Sequence, residues 1–361
     1  GISYLLVRVM KKIAINGMGN TGCSILLKLC NEYIKNGCID NSRYCIVAVR
    51  DPYKPLELIV EEINKGFYGE FFDSSFRLVF TSFQDQPYLL IGDLKIIFLN
   101  SEKTEWSRYN IDFVIEASGA FLSKSEITRE HNFETNVTHN ENFTIALTAL
   151  SSSEDSIKTL INNINFDSSR INNYSSKLDQ VIDNGSCTTR AIAPIMLAIQ
   201  NLDLPVNKLE IDVVHPLTRE KRIKFLNSLI NNTLKLNEFS FKRRGTSVAN
   251  GLIKIFPWLS GKVFTTSCEI PIPDISRAII SVVFEKCFDL DSFIKELKVL
   301  HNKGILNITE NYNYSVIIPD SSYYSFIELQ KVIKTGEYGC KIELYFDNRM
   351  SAANAVLQLV A

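Results

Sequence analysis

No apolar run in this chain approaches the roughly 18 residues that a membrane-spanning helix needs, so nothing in the sequence calls for a bilayer. Charge of one sign is lacking too. Lys and Arg number 39 against 40 Asp and Glu, a formal net charge of -1, and that balance leaves no basic face for nucleic acid or acidic lipid. The eight cysteines, at 23, 30, 38, 45, 187, 268, 287 and 340, contain no CxxC pair and no metal-ligand spacing. They read as scattered reduced thiols, no metal is expected, and the cytoplasm is favoured. The opening GISYLLVRVM is too short for a secretory signal and lacks a small-residue cleavage site. Asn-x-Ser/Thr triplets such as Asn136-Val137-Thr138 are therefore expected to stay unglycosylated.

What is present is an ordinary globular composition, 45% hydrophobic and 22% charged over 361 residues, enough for two domains. The first half alternates strands and helices. Lys12–Ile15 reads as a strand, Ser24–Tyr33 as a helix, Cys45–Val49 as a strand and Pro55–Asn64 as a helix. Leu89–Leu99 holds two short strands around the hairpin signal Gly92-Asp93. Phe113–Glu116 and Phe143–Leu147 are further strands, and residues 122–142 and 151–180 read as polar loops with short helices. After Val181 comes a helix over 188–200. Strands rich in β-branched residues follow (Leu209–Val214, Ser267–Ile272, Arg277–Phe284), then helices at Asp289–Leu300 and Met350–Val360. The pattern predicts an α/β Rossmann-type half followed by an α+β half with a mainly antiparallel sheet.

Gly17-x-Gly19-x-x-Gly22 stands between the first strand and the first helix, the context in which this spacing binds a dinucleotide. The first glycine permits the tight turn, the second lets backbone approach the pyrophosphate, and the third lets the helix pack against the strand. The helix N-terminus then faces the phosphates. Asp51, at the end of the second strand, can accept from the adenosine ribose and would repel a 2′-phosphate, which favours NAD over NADP. Asp51 lies farther past Gly22 than the ~20 residues usual for such a carboxylate, and a first helix extended through Asn36-Gly37 absorbs the difference.

A second chemical signal is Asp183-Asn184-Gly185-Ser186-Cys187-Thr188-Thr189-Arg190, which follows a short strand (Gln180–Ile182) and opens a helix. Cys187 at a helix N-terminus is expected to have a lowered thiol pKa and outward amides for an oxyanion. Its base is sought among four histidines. His131 and His139 lie in a polar loop and His301 near a helix end, whereas His215 ends the strand Ile211-Asp212-Val213-Val214-His215. On residue type alone the pair stays open, since a buried cysteine is more often a small hydrophobe and a lone histidine structural.

Taken together these segments resemble phosphorylating glyceraldehyde-3-phosphate dehydrogenase. The resemblance runs from Lys12–Gly19 through Ile46–Pro52, Glu116–Phe121 (the family's E-S-T-G-x-F), Asn184–Thr189 (its N-A-S-C-T-T) and Val214-His215 to Tyr345–Asn348 (its W-Y-D-N). It implies an NAD-binding domain over 1–185, completed by a C-terminal helix at 349–361, and a catalytic domain over 186–348. It implies Cys187 as nucleophile and His215 as base. NAD would be held by Asn16, Gly17, Met18, Gly19, Asn20, Thr21, Gly22, Asp51, Pro52, Ser118, Gly119, Thr148 and Asn348. The cysteine would form a thiohemiacetal and then a thioester, cleaved by inorganic phosphate or by water. A homo-oligomer, tetramer or dimer, is implied.

The departures bear on the substrate. Glu269 stands in Cys268-Glu269-Ile270-Pro271 where the family has an arginine for the substrate phosphate. Thr218 matches the first of two phosphate-binding threonines and Glu220 replaces the second, whereas Ser186, Thr188 and Thr246 match the attacking-phosphate site, with Ser247 for a glycine. Carboxylates here would repel a phosphate dianion, unless Glu269 is paired by Arg219, Lys221, Arg222, Arg243 or Arg244. Asn20 and Cys23 replace two arginines of the first turn, and residues 221–242 replace the family's S-shaped loop. Three readings follow: an NAD-dependent aldehyde dehydrogenase with an altered substrate site, a working glyceraldehyde-3-phosphate or erythrose-4-phosphate dehydrogenase, and a degenerate paralogue that binds or regulates.

Overall fold

The computed structural model describes residues 10–64, 78–167, 180–217, 219–234, 247–272, 275–310 and 323–360. Its first sheet is built from β1 (Lys11–Asn16), β2 (Tyr44–Arg50), β3 (Val79–Phe83), β4 (Gln86–Ile91), β5 (Leu94–Leu99), β6 (Phe113–Glu116), β7 (Thr144–Leu147), β8 (Lys158–Thr159) and β9 (Val181–Asp183). Their order is β3-β4-β5-β2-β1-β6-β7-β9-β8. Parallel pairing runs from β5 through β2, β1, β6 and β7 to β9. Ile13, Ala14, Ile15, Val114, Ile115, Ile145 and Ala146 are fully buried, as expected of central strands covered on both faces. The helices α1 (Asn20–Asn36), α2 (Leu56–Asn64), α3 (Lys124–Glu130) and α4 (Phe133–His139) lie in this half. α1 does run on to Asn36, where Gly37 takes a left-handed turn and donates its N–H to the Tyr33 carbonyl. The Gly92-Asp93 hairpin joins β4 and β5 as read. β3, an exposed strand without alternation, extends that edge.

The second sheet contains β10 (Val206–Pro216), β11 (Val263–Ile270), β12 (Ile275–Phe284), β13 (Asn307–Ile308), β14 (Phe326–Lys334) and β15 (Gly339–Asp347), in the order β11-β10-β12-β15-β14-β13. Its central pairings are antiparallel and its two edge pairings parallel. Period-two burial on β12 turns Ala278, Ile280, Val282 and Phe284 inward. They share one core with α5 (Cys187–Asn201), α7 (Val248–Ile255) and α8 (Leu290–Asn302). The opposite face carries Arg277, Lys331 and Glu343 in ion pairs. The fold is therefore an α/β Rossmann-type unit beside an α+β unit with a mainly antiparallel sheet. Between β10 and β11 lies also α6 (Arg219–Ile230). The last helix, α9 (Met350–Val360), returns to the first core, where Met350, Ala353, Val356 and Leu357 pack. Among the described residues no helix is long and apolar enough to cross a membrane, and no group of three His, Cys, Asp or Glu side chains is placed to hold a metal ion.

Asp347 starts α9 by accepting the N–H groups of Arg349, Met350 and Ser351. Its burial pushes the carboxyl up to about 6, against about 3.9 in an unfolded chain. A group raised on folding stabilises below the unfolded value and loses that contribution as pH rises through the folded one. Wild-type stability is thus expected to fall by about 2–3 kcal/mol on this account between about pH 4 and pH 7. Asp183, raised to about 6 for the same reason, acts in the same direction. Asp347→Asn should remove roughly half of that slope in denaturant melts taken across the window, and an unchanged slope would refute the assignment.

Candidate active site at the junction of the two sheets

The ends of β1 and β6 form one side of the site. They are neighbours in the sheet, with β2 continuing on one side of β1 and β7 beyond β6. This is the switch point at which open α/β sheets leave a crevice beyond the strand ends. Gly17 is at φ +93, and a Cβ there would lie 2.6 Å from the Ser118 backbone, so the two strand ends touch. A Cβ on Gly22 would lie 2.0 Å from the Gly17 carbonyl oxygen. Gly19 instead faces open space, with nothing within 4 Å of a Cβ. It precedes α1 and brings no side chain to that terminus, and a helix N-terminus of this kind suits an anion.

Asp51 ties this turn to β2. One carboxylate oxygen accepts the Met18 N–H at 2.9 Å, and the other accepts from Tyr53 and Lys54. Pro52 follows it, partly exposed. Ser118 and Gly119 stand opposite, with Ser118 donating to Glu116 through both N–H and hydroxyl. Asn20 and Thr21 open α1 at the surface of the crevice. The side chain of Asn16 is committed beneath the turn: its amide donates to Glu116 at 2.7 Å and its oxygen accepts from Arg50 at 2.8 Å. The same Glu116 is bonded to His131. His131, expected in a polar loop, caps the end of α3 and is fully buried. Trp106 donates to its Nδ1, so Nε2 carries the proton that goes to Glu116. His139, by contrast, is exposed at the end of α4.

The other side of the site begins where β9 ends. Asn184, Gly185 (φ +76) and Ser186 swing the chain from the first sheet into α5. Ser186 caps α5 by accepting the Thr189 N–H, and Cys187 is the first helical residue. The expectation that the helix end lowers this thiol needs correction. Burial pushes the Cys187 thiol up, while the Arg190 guanidinium and the Thr188 hydroxyl and amide pull it down. Asp347 also opposes ionisation. Three polar atoms near the strand ends are buried without a hydrogen-bond partner: Thr148 Oγ1, Ser151 Oγ and Asn184 Oδ1. Such groups are satisfied when a polar ligand fills the space beside them.

His215 lies near the end of β10, where its register partner on β11 is Glu269. Its Nδ1 is 2.9 Å from Ser276 Oγ, and that hydroxyl donates to Asn348 Oδ1 at 2.8 Å. Because the serine proton is used on Asn348, Ser276 must accept from His215. The imidazole proton is therefore on Nδ1, and Nε2 keeps its lone pair. Burial lowers the His215 pKa, with Glu269 pulling the other way, so the ring is held neutral. Sequence reading did not find Ser276, since a serine at a strand start carries no signal of a histidine on the neighbouring strand.

Glu269 is salt-bridged to Lys221 at 3.0 Å through both carboxylate oxygens, the partner foreseen among five cations. Arg222 donates instead to the Leu217 and Ile272 carbonyls. Ser247 precedes α7 without capping it by its side chain. Thr218, Thr246, Arg243 and Arg244 lie outside the described residues, as does the side chain of Glu220.

With this geometry in hand, comparison with known proteins is informative. The family described as glyceraldehyde 3-phosphate dehydrogenase, C-terminal domain, matches residues 186–348. Beyond that segment, a glyceraldehyde-3-phosphate dehydrogenase of Borreliella burgdorferi is 26% identical over 355 residues, 96% of this chain and 98% of the relative. The cytosolic enzyme of Sinapis alba is 22% identical over 358 residues, 97% and 96% of the two chains. Glyceraldehyde-3-phosphate dehydrogenase 2 of a Nostoc strain is 24% identical over 263 residues, 72% and 74%. Residues 186–348 thus match the family's C-terminal domain, and the chain as a whole is similar, at low identity, to glyceraldehyde-3-phosphate dehydrogenases. NAD is the cofactor that both this family and the Rossmann-type sheet fit. The open space at Gly19 before α1 and the unpartnered Thr148, Ser151 and Asn184 atoms are the features of this chain that suit it.

Proposed function

We propose that this glyceraldehyde-3-phosphate dehydrogenase-like protein is an active NAD-dependent aldehyde dehydrogenase with an altered substrate site. The observation that carries the reading is the His215–Ser276–Asn348 chain, which leaves a neutral imidazole with a free Nε2 lone pair. A degenerate binding protein has no need of such a locked tautomer.

Cys187 adds its sulfur to the aldehyde carbon, and the carbonyl pair moves onto oxygen, where α5 terminal amides face it. His215 Nε2 takes the hydroxyl proton as the thiohemiacetal collapses to a thioester on Cys187. Bound NAD supplies the hydride acceptor. Asn348, whose Oδ1 is used on Ser276, keeps its Nδ2 protons to donate to a carboxamide oxygen. The turn from Gly17 to Gly22 would hold the cofactor's pyrophosphate at α1, and Asp51, which ties that turn to β2, would stand at its ribose end. Inorganic phosphate, which Ser186 and Thr188 would hold, or water in its place, then attacks the thioester carbon and frees the Cys187 thiolate.

The Lys221–Glu269 pair is electrically neutral, so it gives no net attraction to a phosphate dianion on the substrate. An aldehyde without a phosphate group is the substrate this favours. The test is NADH formation with NAD and a panel of phosphorylated and plain aldehydes, with and without inorganic phosphate. Turnover of plain aldehydes, lost in Cys187→Ala, is expected. Preferential turnover of glyceraldehyde 3-phosphate or erythrose 4-phosphate would reject the altered site, and no turnover together with no NAD binding would reject an enzyme altogether. Glu269 also raises the His215 pKa. Glu269→Gln is therefore expected to move the acid limb of the kcat/KM profile to lower pH, by a fraction of a pH unit because Lys221 screens the charge. A move to higher pH would show that Glu269 does not act on His215.

A further inference from the structure

Arg190 is one of the largest fully buried side chains of the protein. It lies on the first turn of α5, three positions after Cys187, and at that spacing two side chains share a helix face. Its guanidinium turns back toward the helix N-terminus, donating through Nη1 to the Gly185 carbonyl at 2.5 Å and to the Asn184 carbonyl at 3.2 Å. Both carbonyls belong to the bend that delivers Cys187. The Nε proton has no partner. Among the described residues no carboxylate forms an ion pair with it.

A guanidinium taken out of water without a counter-ion is costly, and it does not escape by deprotonation. The acids whose charges act on it are Cys187 on its own helix, Tyr324 and Asp183. Tyr324 is a phenol pushed far above neutrality by burial, so it brings no charge at neutral pH. Asp183 acts on it only at a distance, its carboxylate accepting the Gly185 and Ser152 amides and the Thr159 hydroxyl and forming no ion pair with the guanidinium. Facing Cys187 are Arg190 on α5, Asp347 at the end of β15 and the Thr188 hydroxyl and amide. His215 is bonded to Ser276 rather than to the sulfur.

We propose that Arg190 is the standing counter-charge of the Cys187 thiolate, so that the thiol ionises against a permanent guanidinium while His215 stays neutral and free to act as base. This deepens the reading of Cys187 as nucleophile and rests on it. On ionisation the S–H bond breaks and the proton leaves to solvent; no imidazolium forms. Arg190 is thus a positioning residue, acting through Cys187.

The test is the rate of iodoacetamide alkylation at Cys187, followed by peptide mass spectrometry across pH, in wild type, Arg190→Gln, Arg190→Lys and His215→Gln. Wild type is expected to show a single ionisation. Arg190→Gln should move the midpoint up by about one pH unit or more, which is about a tenfold loss of thiolate at neutral pH. Arg190→Lys should restore most of it, and His215→Gln should leave the midpoint in place. Equal displacement in the Gln and Lys variants would show that Arg190 only braces the bend and would overturn the proposal. So would a second wild-type inflection that His215→Gln abolishes, an outcome that can be read even if Arg190→Gln does not fold. Failure of the functional reading looks different: the titration follows Arg190 as stated, yet no aldehyde yields NADH.

Discussion

His215→Asn is expected to lower kcat for aldehyde oxidation by about 10²–10⁴-fold, the range lost when a positioned general base is removed, with NAD affinity unchanged. The argument rests on the tautomer. Asn348 fixes the Ser276 proton, Ser276 fixes the His215 proton on Nδ1, and only Nε2 is left to accept. Ser276→Ala should therefore give a smaller loss, about tenfold or more, since the ring remains but is free to present the wrong nitrogen. The pH profile separates these effects. Burial holds the His215 pKa down, so the limb that His215 contributes to kcat/KM should lie below the usual histidine value of about 6.5. His215→Asn should lose that acid limb, whereas Ser276→Ala should keep a limb of reduced height. If His215→Asn turns over within threefold of wild type, the base lies elsewhere.

The parts of this site written in local sequence were legible. The glycine turn needs glycine at Gly17 and Gly22 because backbone and side chains crowd there, and Ser186 before Cys187 is a helix cap wherever it occurs. The extended α1 followed from counting residues to Asp51. Features set by packing across long sequence separations were not legible. His131 is buried because Trp106 and Glu116 enclose its two nitrogens, and nothing in the polar stretch around it announces that. Arg190 sits on a helix where an arginine ordinarily reaches solvent, but the Asn184–Gly185 bend turns two carbonyls onto it. For Glu269 the sequence left five cations open as partners, and only packing places Lys221 on α6 against it. β14 had no signal, and β15, which ends just before Asn348, was visible only as the motif Tyr345–Asn348.

Two glycines of the dinucleotide turn should fail in different ways when a single methyl is added. At Gly22 the methyl would lie 2.0 Å from the Gly17 carbonyl oxygen, and backbone cannot swing aside as a flexible side chain can. Gly22→Ala must open the turn, at a cost of about 1–3 kcal/mol in stability, and it withdraws the α1 terminus from its place, so the NAD dissociation constant should rise by about 10–100-fold. At Gly19 the same methyl meets nothing, and the backbone there, φ -81, suits an alanine. Gly19→Ala should leave thermal stability within about 0.5 kcal/mol of wild type yet weaken NAD by a comparable factor, because on the proposed reading the space it fills is the one through which phosphate oxygens would reach the helix amides. Equilibrium unfolding paired with calorimetric NAD titration reads both quantities. If Gly19→Ala binds NAD as tightly as wild type, the pyrophosphate does not lie at this turn.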